Sequence, residues 1–243
     1  MIRKNFAKAL RAWSIMSGAL PRAFLTCLVI GLSISQAALG QTPTGNCGEL
    51  GNGTNGPFDY RVERGAKLQV VEQFHFSSNV ERLVKGDTGS VGSDLDYTLR
   101  AFPNHHRALM SMIQLGVKLK SPQPTGARYS VECYFQRALS FRPDDNTARM
   151  IYATFLFKNE RPNEASQQLE TTKANAGDSA FTHYNIGLIY FDSKIYDQSL
   201  IQAHRAMEMG FGRTELRDML KGVAKWQEPN NKSEQPSAET PVK

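Results

Sequence analysis

Apolar and small residues recur at a spacing of 34 along positions 146–213. Within each copy they fall at three- and four-residue intervals, as in an amphipathic helix, and a polar turn divides the copy into two such helices. The matching residues are Tyr152, Ala153 and Leu156 with Ile186, Gly187 and Tyr190, and then Ala165, Leu169 and Thr172 with Ser199, Ala203 and Ala206. The pattern predicts two consecutive helix–turn–helix units, 146–179 and 180–213.

A third unit lies upstream, at 104–145. Counting back by the same spacing from the second helix of the next unit gives Val131, Phe135 and Ala138. Gly116, the small residue of its first helix, lies further before Ala153 than this spacing allows, so we expect an insertion of about three residues. The stretch 121–128 is its predicted place, because two prolines and a glycine there rule out a continuous helix.

The repeat pattern resembles the tetratricopeptide repeat, in which small residues stand where two helices approach each other. This resemblance implies an all-α fold: an α-solenoid of about three repeats. In such stacks the first helix of each repeat lines a concave groove that holds an extended peptide or a partner helix. The residues that the resemblance places there are Phe181, Tyr184, Asn185, Leu188 and Phe191 in the third repeat, Met150, Thr154 and Phe157 in the second, and Gln114 and Val117 in the first.

Asn185 is the polar residue expected to contact a bound peptide backbone, because a side-chain amide both donates and accepts hydrogen bonds. Two states of this groove remain open from the sequence. Either it is free for a partner, or residues 57–103 of the same chain fill it.

Beyond the repeats, Leu216, Met219, Leu220 and Val223 have helical spacing and predict a capping helix at 215–226 that begins after Thr214. Residues 227–243 are polar and contain three prolines, which indicates a disordered tail.

Residues 41–103 show little periodicity, so we expect a mostly irregular segment with short helices that packs on the repeats. Positions 67–76 are rich in β-branched and aromatic residues, and a short strand is one interpretation. Ser78 is a candidate N-cap for a first short helix.

A second short helix is expected to begin at Ser93 or Asp94 and to end at Pro103, after which Asn104 caps the first repeat helix. The glycines at 86, 89 and 92 precede no Gly-Lys-Ser/Thr sequence, so we interpret them as a link and not as a nucleotide-binding loop.

Three stretches, 56–61, 70–76 and 94–109, also resemble an uncharacterised family of bacterial envelope proteins with tetratricopeptide repeats. This second resemblance implies no activity.

Residues 1–40 carry five basic residues and no acidic one, followed by an apolar run and by small residues at Ala38 and Gly40. This resembles a Sec signal peptide and predicts a periplasmic protein that begins near residue 41. The alternative is an uncleaved anchor, although the apolar run is short for a hydrocarbon core of about 30 Å. Translation from Met16 instead of Met1 would give a more ordinary leader.

The net charge of +6 comes from 29 basic and 23 acidic residues. Without the five basic residues of the leader, 24 remain against 23, a net of about +1. Nucleic-acid binding needs a basic face on the folded domain, and this balance gives it no support.

Cys47 and Cys133 remain after removal of the leader, and in an oxidising compartment such a pair is a candidate disulfide. Two separate thiols are the alternative.

No catalytic or metal-binding motif stands out. His105 and His106 are adjacent, so their side chains point about 100° apart on a helix and are poorly placed to bind one metal. We therefore expect no cofactor and no metal, and a non-catalytic scaffold that binds another envelope protein. The alternatives are a structural subunit of a transport or secretion assembly, and an enzyme or small-ligand site formed by residues 57–106 against the first repeat, with His75, Asp94, Asp96, His105 and His106 as its candidates.

Overall fold

The computed structural model describes residues 47–51, 55–177 and 179–229. The predicted leader at 1–40, the question of its start residue and the tail beyond Pro229 lie outside these residues. The described part of the chain is all-α, as predicted, with no β-strand.

Ten helices follow one another in the described residues. They are α1 Ala66–His75, α2 Ser78–Glu81, α3 Val91–Ala101, α4 His106–Leu119, α5 Val131–Phe141, α6 Asn146–Lys158, α7 Pro162–Ala176, α8 Ala180–Asp192, α9 Tyr196–Glu208 and α10 Glu215–Gly222.

Helices α6 and α7, and then α8 and α9, form antiparallel pairs joined by three-residue turns at 159–161 and 193–195. Each turn contains a residue with positive φ, Glu160 at 58° and Lys194 at 61°. The turns also share a hydrogen bond that spans five residues, from the Arg161 N–H to the Leu156 carbonyl and from the Ile195 N–H to the Tyr190 carbonyl. The same local geometry therefore recurs with the period of the sequence pattern.

The pair α4–α5 differs from the prediction in its register. The Ser121 N–H donates to the Gly116 carbonyl, so Gly116 occupies the place of Leu156 and not that of Ala153. The connection between α4 and α5 runs from 120 to 130, eleven residues where the later pairs have three. Helix α5 has 11 residues and α7 has 15, so the shorter helix offsets part of the inserted length. For this reason the sequence spacing alone underestimated the length of the insertion.

The N-terminal segment contains helix α1 where a strand was considered, and that interpretation is wrong. Leu68 and Val71 lie one turn apart on α1 and are buried against Ala101, Phe102 and Tyr60. A helix places both on one face, whereas a strand would place them on opposite faces.

Helix α3 is the counterpart of α5 earlier in the chain. Both have 11 residues, both begin after a serine that accepts a hydrogen bond from the N–H three residues on (Ser90 and Ser130), and both end two residues before a proline. Because α3 packs on α4, the segment before the predicted repeats continues the row of helices.

Helix α10 covers the other end of the row. It buries Leu216 and Leu220 against α8 and α9, as predicted for a capping helix. It ends at Gly222, before the expected Trp226, and Val223 stays 39% exposed.

Cys47 and Cys133 form a disulfide, with an S–S distance of 2.09 Å. The predicted pairing is confirmed, and it is consistent with an oxidising, exported location. Among the described residues, no helix has both the length and the apolar character needed to cross a membrane.

Candidate functional site

A shallow apolar hollow lies between α6 and α8, which we call the α6–α8 hollow. It has a volume of about 280 Å³. Helix α6 contributes Thr147, Met150, Ile151 and Thr154, and helix α8 contributes Phe181, Asn185, Leu188, Ile189 and Asp192.

Helix periodicity explains why these residues share a surface. Helix α6 buries Ala148, Tyr152, Ala153 and Leu156 against its neighbours. Residues at 147, 150, 151 and 154 lie on the opposite side of the same helix, so they are left for the surface. Phe181 of α8 is 62% exposed, an unusual state for a phenylalanine.

Five of the ten predicted groove residues meet in this hollow: Met150, Thr154, Phe181, Asn185 and Leu188. Asn185 donates one hydrogen bond to the Phe181 carbonyl, at 2.9 Å. Its carbonyl oxygen and second amide hydrogen remain for another partner, as peptide recognition would require.

Tyr184 is placed differently from the prediction. It is 6% exposed, its ring centroid lies 4.7 Å from that of Phe211, and its hydroxyl is 3.4 Å from Glu215 Oε2. Tyr184 occupies the place in α8 that Met150 occupies in α6, a position that faces the next element of the row. For Met150 that element is α8, and for Tyr184 it is the capping helix α10.

The same reasoning applies to the last aromatic residue of each helix. Phe157 packs against Tyr190, with ring centroids 5.9 Å apart, and Phe191 packs against Tyr196 at 5.4 Å. Both are half-buried contacts between neighbouring elements and do not line the α6–α8 hollow.

A second hollow, the α4–α6 hollow, has a volume of about 220 Å³ and lies at the C-terminal ends of α4 and α6. Val117, a predicted groove residue, lines it together with Ile113, Phe155 and Lys158. Gln114 is exposed on α4 and lines neither hollow. Six of the ten predicted groove residues thus line two separate apolar depressions, one on each side of α6.

Residues 55–103 line neither hollow. Their helices pack against one another and against α4, at the end of the row that is remote in sequence from α8. The described N-terminal segment thus leaves the α6–α8 hollow uncovered.

The five candidates for a small-ligand site do not line one common cavity: His75 and Asp94 form a pair, and Asp96, His105 and His106 each have other partners. His75 pairs with Asp94, with 3.0 Å between Nδ1 and Oδ1. Asp94 also accepts from the backbone N–H of Asp87 and of Thr88. Burial opposes ionisation of this carboxyl, but hydrogen bonds from the Thr88 hydroxyl and His75, together with these backbone bonds, hold the pKa of Asp94 below its usual range. Asp94 therefore anchors the 86–90 turn to α3.

Asp96 accepts a hydrogen bond from the Tyr134 hydroxyl at 2.6 Å and pairs with Arg100. Burial and this carboxylate both raise the pKa of Tyr134. Asp96 therefore ties α3 to α5.

His105 caps α4 through Nδ1, which accepts from the Ala108 N–H, while its Nε2 lies 3.2 Å from Glu72 Oε1. Burial lowers the pKa of His105, although the Glu72 hydrogen bond opposes the shift. With Nδ1 accepting, the proton of the neutral ring resides on Nε2 and is donated to Glu72.

The Asn104 cluster, consisting of Asp59, Asn104, His106 and Asp145, was missed by sequence reasoning. Asn104 is fully buried and donates to Asp59 and Asp145, at 2.7 and 2.8 Å. Asp145 caps α6 and also pairs with His106 at 2.9 Å. The one available signal in the sequence was the position of Asp145 directly before α6, where an aspartate is a typical N-cap.

No group of metal-ligating side chains suited to an ion is found among the described residues. Comparisons with protein-family models, curated proteins and solved structures find no match to this chain.

Proposed function

We propose that this chain is an exported adaptor of the tetratricopeptide-repeat type that binds a segment of another envelope protein in the α6–α8 hollow, without catalysis. The observation that carries the proposal is the hollow itself, an apolar surface with one amide, Asn185, and an exposed aromatic ring, Phe181. The described N-terminal helices leave it uncovered.

The repeat character rests on the periodic recurrence of turns and of their hydrogen bonds in α6–α9. Stacked helix pairs of this kind bury one another's apolar faces, so exposed apolar side chains on the first helices are left for recognition.

The chemistry of the hollow supports one kind of partner. Met150, Leu188 and Ile189 suit apolar side chains, the Asn185 amide suits a peptide group, and the Asp192 carboxylate at the rim suits a basic residue. We infer an extended segment with apolar residues next to a lysine or arginine.

The periplasmic location rests on the disulfide and on the predicted leader. The disulfide supports an oxidising compartment, and the leader supplies the route to it.

The test uses a photo-crosslinking residue at position 181, where the side chain is exposed, and not at buried position 184. We expect one envelope protein to crosslink. In a separate affinity capture with chains that carry no crosslinker, Phe181→Ala with Asn185→Ala should abolish binding of that protein. The matched control is Phe74→Ala with Asn175→Ala, since Phe74 is 51% exposed on α1 and Asn175 is exposed on α7. Undiminished capture by the folded groove variant, or a crosslink only to residues 57–103, would contradict the proposal.

A further inference from the structure

A third cavity lies away from both hollows, between α3, α5 and the segment 47–51, and has a volume of about 380 Å³. We call it the arginine cavity because Arg100, Arg128 and Arg137 line it. Glu49 is the one carboxylate among the described lining residues, so three arginines and one carboxylate leave two net positive charges. Two tyrosine rings, Tyr97 and Tyr129, complete its walls.

Arg137 is the most unusual of these residues, because its charge is buried and has no counter-ion among the described residues. It is 4% exposed, and within the described ranges no carboxylate forms an ion pair with it. Its Nη1 donates to the carbonyls of Cys47, Gly48 and Glu49, at 2.9, 3.0 and 3.0 Å, and its Nε finds no hydrogen-bond partner in the described part of the chain. Burial of a charge is costly unless an opposite charge lies close by, so this site favours an anion.

The two other arginines add to the positive potential in different ways. Arg100 shares its Nε with Asp96, at 2.9 Å, which offsets part of its charge. Arg128 is exposed, its backbone N–H is donated to Asp96, and in the described residues its guanidinium forms no ion pair. Arg128 is therefore free to reorient toward a ligand at no cost in native contacts.

We propose that the arginine cavity binds a small molecule with an oxyanion head, a carboxylate or a phosphate. Guanidinium groups present paired N–H donors that match both heads. The volume exceeds what a bare inorganic ion needs and falls in the range of small-molecule sites. The rings of Tyr97 and Tyr129 lie beside the cations, with the Arg137 guanidinium 4.6 Å from the Tyr129 ring, and provide a surface for the body of the ligand.

The disulfide makes this site dependent on oxidation. Segment 47–51 forms one wall and supplies the three carbonyls that hold Arg137. The Cys47–Cys133 bond ties that segment to α5. Reduction releases segment 47–51 from α5. The cavity then loses this wall, and the Arg137 guanidinium loses its three carbonyl acceptors.

Isothermal titration of the disulfide-bonded, exported chain with succinate and with glycerol 3-phosphate, at constant ionic strength, tests the proposal. We expect saturable binding of at least one probe, and the tighter one identifies the head group. Arg128→Gln should raise its Kd about tenfold or more, because one charge-assisted contact is lost. Lys85→Gln removes an exposed cation outside the cavity and should leave Kd unchanged.

Absence of saturable binding for both probes would overturn the proposal, and so would equal weakening by Arg128→Gln and Lys85→Gln, which would indicate a general charge effect. Circular dichroism establishes that each variant is folded. Reduction of the disulfide should abolish binding, and unchanged binding by the reduced chain would contradict the role of the 47–51 wall.

Discussion

Two regions of this molecule are held together in different ways. In the region 146–222, neighbouring helices contact one another through apolar residues that recur periodically, and the contacts join elements close in sequence. In the described residues from 47 to 145, many decisive contacts are polar and distant in sequence. Asn104 and Asp59 are 45 residues apart, Tyr134 and Asp96 are 38 apart, and Arg137 reaches Cys47 across 90.

The difference shows how a stack of helices can end without a further repeat. At the C-terminal end, α10 covers the last pair with two buried leucines, Leu216 and Leu220. At the N-terminal end, the connection 120–130 and the segments 47–51 and 55–63 replace regular turns, and a disulfide with buried polar groups fixes them. Apolar periodicity is sufficient for the first end, whereas the second depends on particular pairs.

Reduction of the disulfide is expected to have the largest effect on this comparison. The bond joins residues 86 apart, and loop entropy predicts a loss of about 4 kcal/mol on reduction. We expect hydrogen exchange to accelerate first in 55–145, while α7–α9 keep their protection. The control is Cys47→Ser with Cys133→Ser, which should not respond to reductant. A uniform acceleration over the whole chain would show that the two regions are not distinct.

Equivalent N-cap positions give a more local test. Asp145 and Ser179 each cap the first helix of a pair, at matching places in the two pairs, by accepting from the N–H three residues on. Asp145→Ala also leaves His106 without its carboxylate and one Asn104 amide hydrogen unpaired, so we expect a loss of about 3 kcal/mol. Ser179→Ala removes only a cap and should cost about 1 kcal/mol.

Urea denaturation of both variants measures this difference. Asp145→Asn is the control, because an amide keeps the cap while losing the charge. Equal losses for Asp145→Ala and Ser179→Ala would mean that the Asn104 cluster adds nothing to the cap.

Sequence reasoning was sufficient where contacts are periodic. The spacing of Ile186 and Tyr190 identifies the buried side of α8, and both are buried. The pattern could not reveal which element would lie beside Tyr184, because the end of a row offers a different neighbour from its middle. The sequence therefore predicted Tyr184 to line the groove, whereas the structure packs it against helix α10.

Periodicity does not predict polar pairs that are distant in sequence. Asn104 was expected to be a helix cap, whereas it joins Tyr60, Asp59 and Asp145 in the structure. Ser90 and Ser130 are the N-caps of α3 and α5, and the spacing between them can be read from the sequence. It differs from the period of the repeats, so the repeat pattern did not include α3. The segment 67–76 lacked a clean period, and packing against α3 decides that it is a helix.

The smallest expected effect is a pH dependence that arises from His105, in the N-terminal region. Burial lowers the pKa of His105, with Glu72 opposing and Arg107 reinforcing the shift. The unfolded chain, with its ordinary pKa of about 6.5, then binds the proton more readily than the folded one. Stability is thus full above about pH 6.5 and falls as the pH drops below it.

Protonation of His105 also turns Nδ1 into a donor that faces the Ala108 N–H, and loss of that cap costs about 1 kcal/mol. His105→Asn keeps a capping oxygen and does not titrate, so its free energy of unfolding should change less than that of the wild type between pH 7.5 and pH 5.5. Four other histidines are present in both proteins, so the difference between the two urea-denaturation series isolates His105. Parallel curves would show that the α4 cap is insensitive to protonation, and that His105 adds no acid sensitivity to the N-terminal region.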